Sequence, residues 1–430
     1  MSVSDSTKPQ VTRRIHLHRD DGGSSGMRVV QKLADSCARG FQSLPSVPML
    51  IGIAIGFLVC CFAGRMVSER SLFRNFLRFF QPIQPQTFFY PTASELVSFV
   101  RDTVPRDKIL VLVGGASYFR GTGQNPAELW TVELQRLLGD NYKVINFAID
   151  QAGVTDFAGA VFQVLADEYP KMIYVATGTP FANGNDGVDG GEIYRYVFWD
   201  AYYKNMFRQV SPWIGDVHRR GKLERRTPSG LEMHLGKWID AQTFACDLWT
   251  YIGYKYFFTV WSDSTSLSPF RARSSYKEIF DPNLAKYQAD NRGNKEYVKL
   301  YEERNKAYYQ NGFDRNEKGQ LVPWMPTWEA VSASYQELFP SDLRSKCLIV
   351  LVRPNTYFMQ SFTTNDWERY ALVYQRGKEI IAKLGFNVVD AGADCGPEDY
   401  IDAGHFMASG GRKIAATVAS EIKSEFMVEK

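Results

Sequence analysis

The chain has 430 residues, 45% hydrophobic and 23% charged, which is ample for a large globular core and excludes a mainly disordered polymer. Its formal net charge of +3 gives no reason to expect a nucleic-acid partner. The six cysteines (Cys37, Cys60, Cys61, Cys246, Cys347 and Cys395) include no CxxC pair and no zinc-type spacing, so neither a disulfide framework nor a metal centre is expected.

In chain order, residues 1–46 read as a tail, Ser/Arg-rich and aromatic-poor up to Gly26, of the kind that cannot bury a core. No charged residue occurs from Gly40 to Gly64. The most apolar part, Val47–Gly64, is 18 residues long, near the lower limit for a membrane span and long for a buried core helix. The tail before it is far longer than the charged start of a cleaved signal, and no A-x-A site follows. A lipoprotein signal also fits poorly, because bulky Val59 precedes Cys60. An uncleaved single-pass anchor is therefore expected, with the lipid bilayer as partner. Arg28, Lys32 and Arg39 on one side oppose Arg65, Arg70, Arg74 and Arg78 on the other, so charge alone does not orient it. A short tail kept inside is the commoner arrangement, and it places the rest of the chain outside the cytoplasm.

Residues 65–106 connect the anchor to a domain expected over 107–427. Within the connection, Ser71–Phe80 alternates Arg with Leu and Phe, as in a helix lying in the headgroup layer. The Pro/Gln-rich stretch Gln81–Thr92 reads as a linker.

From Lys108 buried strands alternate with helices. Strands are predicted at Ile109–Val113, Lys143–Phe147 and Met172–Ala176, and helices at Pro126–Leu138, capped by Asn125, and Thr155–Glu168. The pattern returns with strands at Cys347–Val352 and Phe386–Asp390 and helices at Trp367–Leu384 and Ser409–Phe426. Such alternation predicts a parallel sheet covered on both faces. Between 184 and 345 it is interrupted by turn-rich and aromatic-rich pieces, read as a large, mainly helical insertion.

In open parallel sheets chemistry collects at the C-terminal strand ends. The first strand runs into Gly114-Gly115-Ala116-Ser117, with Gly121 four residues beyond the serine, so small residues let the hydroxyl project at the sheet edge. Of five histidines, His16 and His18 precede the anchor, and His218 and His234 lie in polar parts of the insertion. His405 lies just before the final helix, in Asp402-Ala403-Gly404-His405. An aspartate three residues before a histidine can hold one ring nitrogen and leave the other to take a proton from a serine. The rival is an Asp402 that merely caps the final helix beside an incidental histidine.

These blocks resemble those of the SGNH, or GDSL, hydrolases. The strand followed by GASYFRG is similar to their GDSxxxG block, VINFAIDQAGVTDF to their second block, and YIDAGHFMASGGRKIAATVASEI to their final Asp-x-x-His block and helix. The resemblance covers 107–183 and 345–422. It implies an α/β, flavodoxin-like three-layer sandwich with a central parallel sheet, beside the transmembrane helix and the insertion. It also implies acyl transfer by Ser117, His405 and Asp402. The oxyanion would be held by the backbone N–H of Ser117, by Gln151 or Gly153, and by Asn183. No metal or organic cofactor is implied. Two departures stand out. Gly-Ala-Ser replaces Gly-Asp-Ser, and the asparagine that the third block places two residues after Gly178 is absent, leaving Asn183 further along. One lost oxyanion donor costs about 2.7–4 kcal/mol.

Together these features suggest a membrane-anchored serine esterase or O-acyltransferase acting on acyl esters, with cell-surface polysaccharide or lipid as the substrate class. The alternative is a catalytically silent relative that serves as a binding or assembly subunit. A phosphoryl-transfer domain would need a phosphate loop of the GxxxxGK[ST] type, which the sequence lacks.

Overall fold

A computed structural model describes residues 46–70, 79–80, 87–88, 93–124, 126–148, 152–155, 157–180, 201, 206 and 292–426. The histidines upstream of His405 lie outside these residues, as do Asn125, Gln151, Asn183 and most of the expected interfacial helix.

Helix α1, Val47–Arg70, is 24 residues long, and its segment Val47–Gly64 has a mean hydropathy of 2.4. At 1.5 Å per residue it extends roughly 36 Å, against roughly 30 Å for a hydrocarbon core. It is long and apolar enough to cross a membrane. Ile51, Ile55, Phe57 and Leu58 are all exposed on it. Beyond it, β1 (Phe79–Phe80) pairs antiparallel with β2 (Thr87–Phe88). The end of the predicted 71–80 helix is therefore a strand, since paired aromatics suit a pleated ladder.

The main sheet is parallel throughout. Helix α2 (Ala93–Thr103) precedes β3 (Ile109–Gly114), which leads into the short α3 (Ser117–Arg120). Then come α4 (Trp130–Leu138), β4 (Tyr142–Asn146), α5 (Ala158–Leu165) and β5 (Ile173–Gly178). The described part of the 184–345 stretch holds α6 (Lys295–Gln310), the hairpin β6 (Phe313–Arg315) and β7 (Leu321–Pro323), α7 (Met325–Gln336) and α8 (Ser341–Arg344). The chain closes with β8 (Cys347–Val352), α9 (Thr364–Lys383), β9 (Asn387–Ala391) and α10 (Ala408–Glu425). The sheet order is β4-β3-β5-β8-β9, with Val113 beside Asn146 and Thr177 beside Val350. Counting only its own strands, that order is 2-1-3-4-5, as in doubly wound sheets.

Alternation of side chains along the strands builds two cores. Leu110, Leu112, Tyr174, Ile349 and Leu351 face one side, packed with residues of α2, α5, α7 and α9. Val111, Val113, Val175, Leu348 and Val350 face the other, under α4 and α10. Helices thus cover both faces, and burial on both sides explains why the strands read as unbroken apolar runs. Trp328 and Tyr335 of α7 sit in the first core, 1% and 4% exposed, so this part of the interrupting stretch shares the sheet's core. Cys347 is a fully buried thiol whose sulfur meets the Leu343 carbonyl at 3.3 Å, and burial raises its pKa well above the usual value.

Two helices start later than the sequence pattern predicts. Pro126–Glu128 forms a 3-10 turn, and the α-helix begins at Trp130, whose N–H donates to Gln124 Oε1 at 2.8 Å. The side chain of Gln124, 1% exposed, thus satisfies the first N–H of the helix. The 155–168 run becomes helical only at Ala158, because Phe157 adopts φ +45 at its N-terminus. That conformation is held by a buried ring packed edge-on against Phe147.

Candidate active site

The turn that carries Ser117 follows directly from β3. Gly115 has φ +95, and a Cβ there would lie 2.2 Å from Thr177 Oγ1 and 2.9 Å from Thr177 N, so only glycine lets β3 leave the sheet beside β5. The N–H of Ala116 then donates to Thr177 Oγ1 at 3.1 Å. Ser117 opens the helical turn, half-buried, and its N–H has no intrahelical acceptor. The carbonyl of Phe119 closes the turn by accepting from Trp130 Nε1 at 2.7 Å and from Asn146 Nδ2 at 2.9 Å. Thus side chains from α4, β4 and β5 hold one serine at the sheet edge.

His405 arrives from the other end of the sequence. The segment 399–407 folds back on itself, with Tyr400 bridged antiparallel to Phe406. Oδ1 of Asp402 accepts from the N–H groups of Gly404, at 2.9 Å, and His405, at 2.8 Å. Its Oδ2 faces His405 Nδ1 at 2.7 Å, and Nε2 of the same ring lies 2.7 Å from Ser117 Oγ. With Nδ1–H donating to the carboxylate, Nε2 is left to accept the serine O–H. The final helix is capped by Met407 without a side-chain bond, which removes the reading of Asp402 as a helix cap. The structure therefore brings Ser117, Asp402 and His405 together within direct hydrogen-bond reach.

Electrostatics favour an ionised aspartate. Burial alone would raise the Asp402 carboxyl, but the His405 hydrogen bond, the His405 charge and the two backbone N–H groups outweigh it and hold the pKa below the usual carboxylate value. The Asp402 side chain is 11% exposed and that of His405 24%, so the carboxylate sits behind a ring that solvent still reaches.

Several residues that sequence reasoning passed over complete the site. Asn355, fully buried after β8, donates from Nδ2 to the Asp402 carbonyl at 3.0 Å and accepts the Tyr357 N–H at 2.9 Å. Its own N–H reaches the Ala403 carbonyl at 2.9 Å. Tyr118 stacks on the His405 ring, with centroids 5.1 Å apart and planes 30° apart. Their signals were faint but present: a polar Asn146 ending a buried strand, an Asn355 just past another, and an aromatic directly after the serine.

Ser117 opens into a cavity of about 400 Å³, within the range of small-molecule sites. Gly153 lines it; the other two expected oxyanion donors, Gln151 and Asn183, lie outside the described residues. At the end of β5, where the resembling family places its asparagine, stands Pro180, buried against Gly377 of α9. The Tyr335 hydroxyl donates to the Thr179 carbonyl at 2.8 Å and accepts the Thr179 N–H at 3.2 Å. This strand end is thus fixed by protein groups.

No family model matches the chain, and no curated protein matches it. Among solved structures, the inhibitor-bound form of an aryl esterase from M. smegmatis is similar over 74% of this chain and 99% of that chain, at 12% identity and a TM-score of 0.27. A likeness of that size bears on neither fold family nor activity.

Proposed function

We propose that the protein is a serine ester hydrolase or O-acyltransferase of the SGNH type. The observation that carries the proposal is the Asp402–His405–Ser117 relay, with both contacts at 2.7 Å, at the mouth of a cavity. His405, oriented by Asp402, takes the proton of Ser117 as Oγ attacks an ester carbonyl. The Ser117–acyl bond forms as the alcohol leaves with the proton from His405. Water or a second hydroxyl then attacks the acyl-enzyme, and His405 again acts as base. The oxyanion rests on the N–H of Ser117 and of Gly153, with Gln151 and Asn183 as further donors.

In the same proposal Val47–Gly64 anchors the chain in a bilayer and the catalytic domain lies outside the cytoplasm, where cell-surface polysaccharide or lipid esters are met. The apolar length of α1 supports the anchor. Reporter fusions at Lys32 and at the C-terminus test the orientation, and a cytoplasmic signal from the C-terminal fusion would overturn it.

The chemistry is tested by hydrolysis of 4-nitrophenyl acetate with the full chain in detergent micelles. Turnover abolished by Ser117→Ala and by His405→Ala is expected. Equal turnover in wild type and both variants would refute the assignment.

A further inference from the structure

We propose that the buried end of the cavity is a hydrocarbon-binding subsite, so that the esters processed at Ser117 carry an alkyl chain or ring larger than the methyl of an acetyl group. The inference rests on the serine-hydrolase proposal and names its substrate class.

Burial grades the cavity lining from one end to the other. Tyr118 and Gly153 are exposed and belong to the mouth, with Ser117 half-buried beside them. Pro180, Tyr335, Leu338 and Tyr374 are buried and form the far end. They come from the end of β5, from α7 and the turn after it, and from α9. Pro180 is backed by Gly377 of α9, where a Cβ would come within 2.7 Å of it. The far end is thus a firm wall, and it exists before any ligand arrives.

Tyrosines would make such a wall polar if their hydroxyls were turned to the cavity, but these hydroxyls are engaged elsewhere. The Tyr335 hydroxyl donates to the Thr179 carbonyl at 2.8 Å and accepts the Thr179 N–H at 3.2 Å. The Tyr374 hydroxyl donates to the Val352 carbonyl at 2.9 Å and lies 3.5 Å from that of Tyr309. What both residues offer a ligand is ring carbon. Burial also raises both phenols above the usual pKa, so they stay neutral at working pH.

The rest of the far end agrees. Pro180 stands where the resembling family has a polar asparagine, and Leu338 adds further carbon. Among the described lining residues there is no aspartate or glutamate. Arg353 lies over the Tyr374 ring, 5.0 Å from its centroid, and forms a forked ion pair with Asp390 that offsets its charge. A neutral, carbon-faced wall binds hydrocarbon by removing it from water.

Size sets the class of substrate. The cavity of about 400 Å³ equals some thirteen water volumes of roughly 30 Å³ each. The methyl of an acetyl group fills little of that. Each further methylene carried in from water is expected to raise kcat/KM roughly fourfold, or about 0.8 kcal/mol, until the far end is reached.

The test uses the full chain in detergent micelles, with 4-nitrophenyl acetate, butyrate, hexanoate and octanoate as one series and ethyl and hexyl acetate as a second. In at least one series the longer ester is expected to gain tenfold or more in kcat/KM. A gain in the first series puts the hydrocarbon on the acyl side, and a gain in the second puts it on the alcohol side. Ser334 lines the cavity next to Tyr335, so Ser334→Phe should fill the far end and cut the long-to-short ratio at least tenfold. Leu338→Ala should enlarge it and raise the octanoate-to-hexanoate ratio. Each comparison is a ratio within one protein, so partition into micelles and a general loss of activity both cancel between variants. No gain beyond about twofold in either series, or a gain that neither variant alters, would overturn the subsite.

Should no ester be turned over, the hydrolase proposal fails on its own terms. Calorimetric titration with the uncleavable 4-nitrophenyl hexyl and ethyl ethers then decides the subsite. Tighter binding of the hexyl ether, weakened by Ser334→Phe, supports it. Equal affinity for the two ethers, or a preference that Ser334→Phe leaves intact, overturns it.

Discussion

Replacing Asp402 with asparagine isolates the part of the relay that sets the histidine tautomer. Oδ1 of Asp402 accepts two backbone N–H groups, from Gly404 and His405. An asparagine must keep its carbonyl oxygen there, since turning its amide toward two donors would leave both unsatisfied. Its NH2 then occupies the place of Oδ2, 2.7 Å from His405 Nδ1. Two donors cannot share that contact, so Nδ1 becomes an acceptor and the ring proton moves to Nε2, facing Ser117 Oγ. Nothing remains to take the serine proton. In serine proteases the wrong tautomer lowers kcat by roughly 10⁴, or about 5.4 kcal/mol of transition-state stabilisation, and the same fall is expected here. The assay is 4-nitrophenyl acetate hydrolysis by Asp402→Asn, with circular dichroism to show that the fold persists. A folded variant that keeps more than about a tenth of wild-type kcat would refute the tautomer argument.

Other outcomes follow from individual contacts. Gly115→Ala places a Cβ 2.2 Å from Thr177 Oγ1 at φ +95; it should cost about 1–3 kcal/mol of stability and lower kcat, as read by denaturant titration and turnover. Tyr118→Phe keeps the ring over His405 and should retain most activity, whereas Tyr118→Leu removes stacking worth about 0.5–1.5 kcal/mol and should slow turnover several-fold. Asn355→Leu leaves the buried Asp402 carbonyl and Tyr357 N–H without their partner, so a loss of about 2–4 kcal/mol is expected in thermal or denaturant unfolding. Asp399 and Asp402 both have folded pKa values below the usual carboxylate value: burial opposes the shift in each, outweighed by Lys413 and Ser409 at Asp399 and by His405 at Asp402. Each therefore contributes stability that is fully present above its unfolded pKa, about 3.9, and lost as pH falls through the folded value. Melting temperatures between pH 7 and pH 2 should fall mainly below pH 4, and a flat profile there would contradict these shifts.

The parallel sheet was legible because doubly buried strands such as Ile109–Gly114 and Cys347–Val352 are written as unbroken apolar runs between glycine and polar stops. The meeting of Ser117 and His405 was legible because each sits where a strand or loop meets the C-terminal edge of such a sheet. Helix starts were less so. Gln124 satisfies the first N–H of α4 through a contact six residues away in the chain, and Phe157 delays α5 through tertiary packing of its ring. Local propensity records neither. Asn146, Thr177 and Asn355 were missed because their task is to hold backbone groups of distant segments, at separations of 27, 61 and 47 residues. No pattern along the chain expresses such pairings. The end of the predicted interfacial helix failed for a related reason: Phe79–Phe80 pairs with Thr87–Phe88, and cross-strand partners override an amphipathic helical period.

The central claim is that Ser117 is an activated nucleophile. The most direct measurement is covalent labelling of the full chain in detergent micelles with a fluorophosphonate, followed by mass mapping of the adduct. The account predicts one stoichiometric adduct on Ser117, absent in Ser117→Ala and strongly slowed in His405→Ala. A folded wild-type protein that takes up no label, or whose adduct maps to another serine and survives Ser117→Ala, would contradict it.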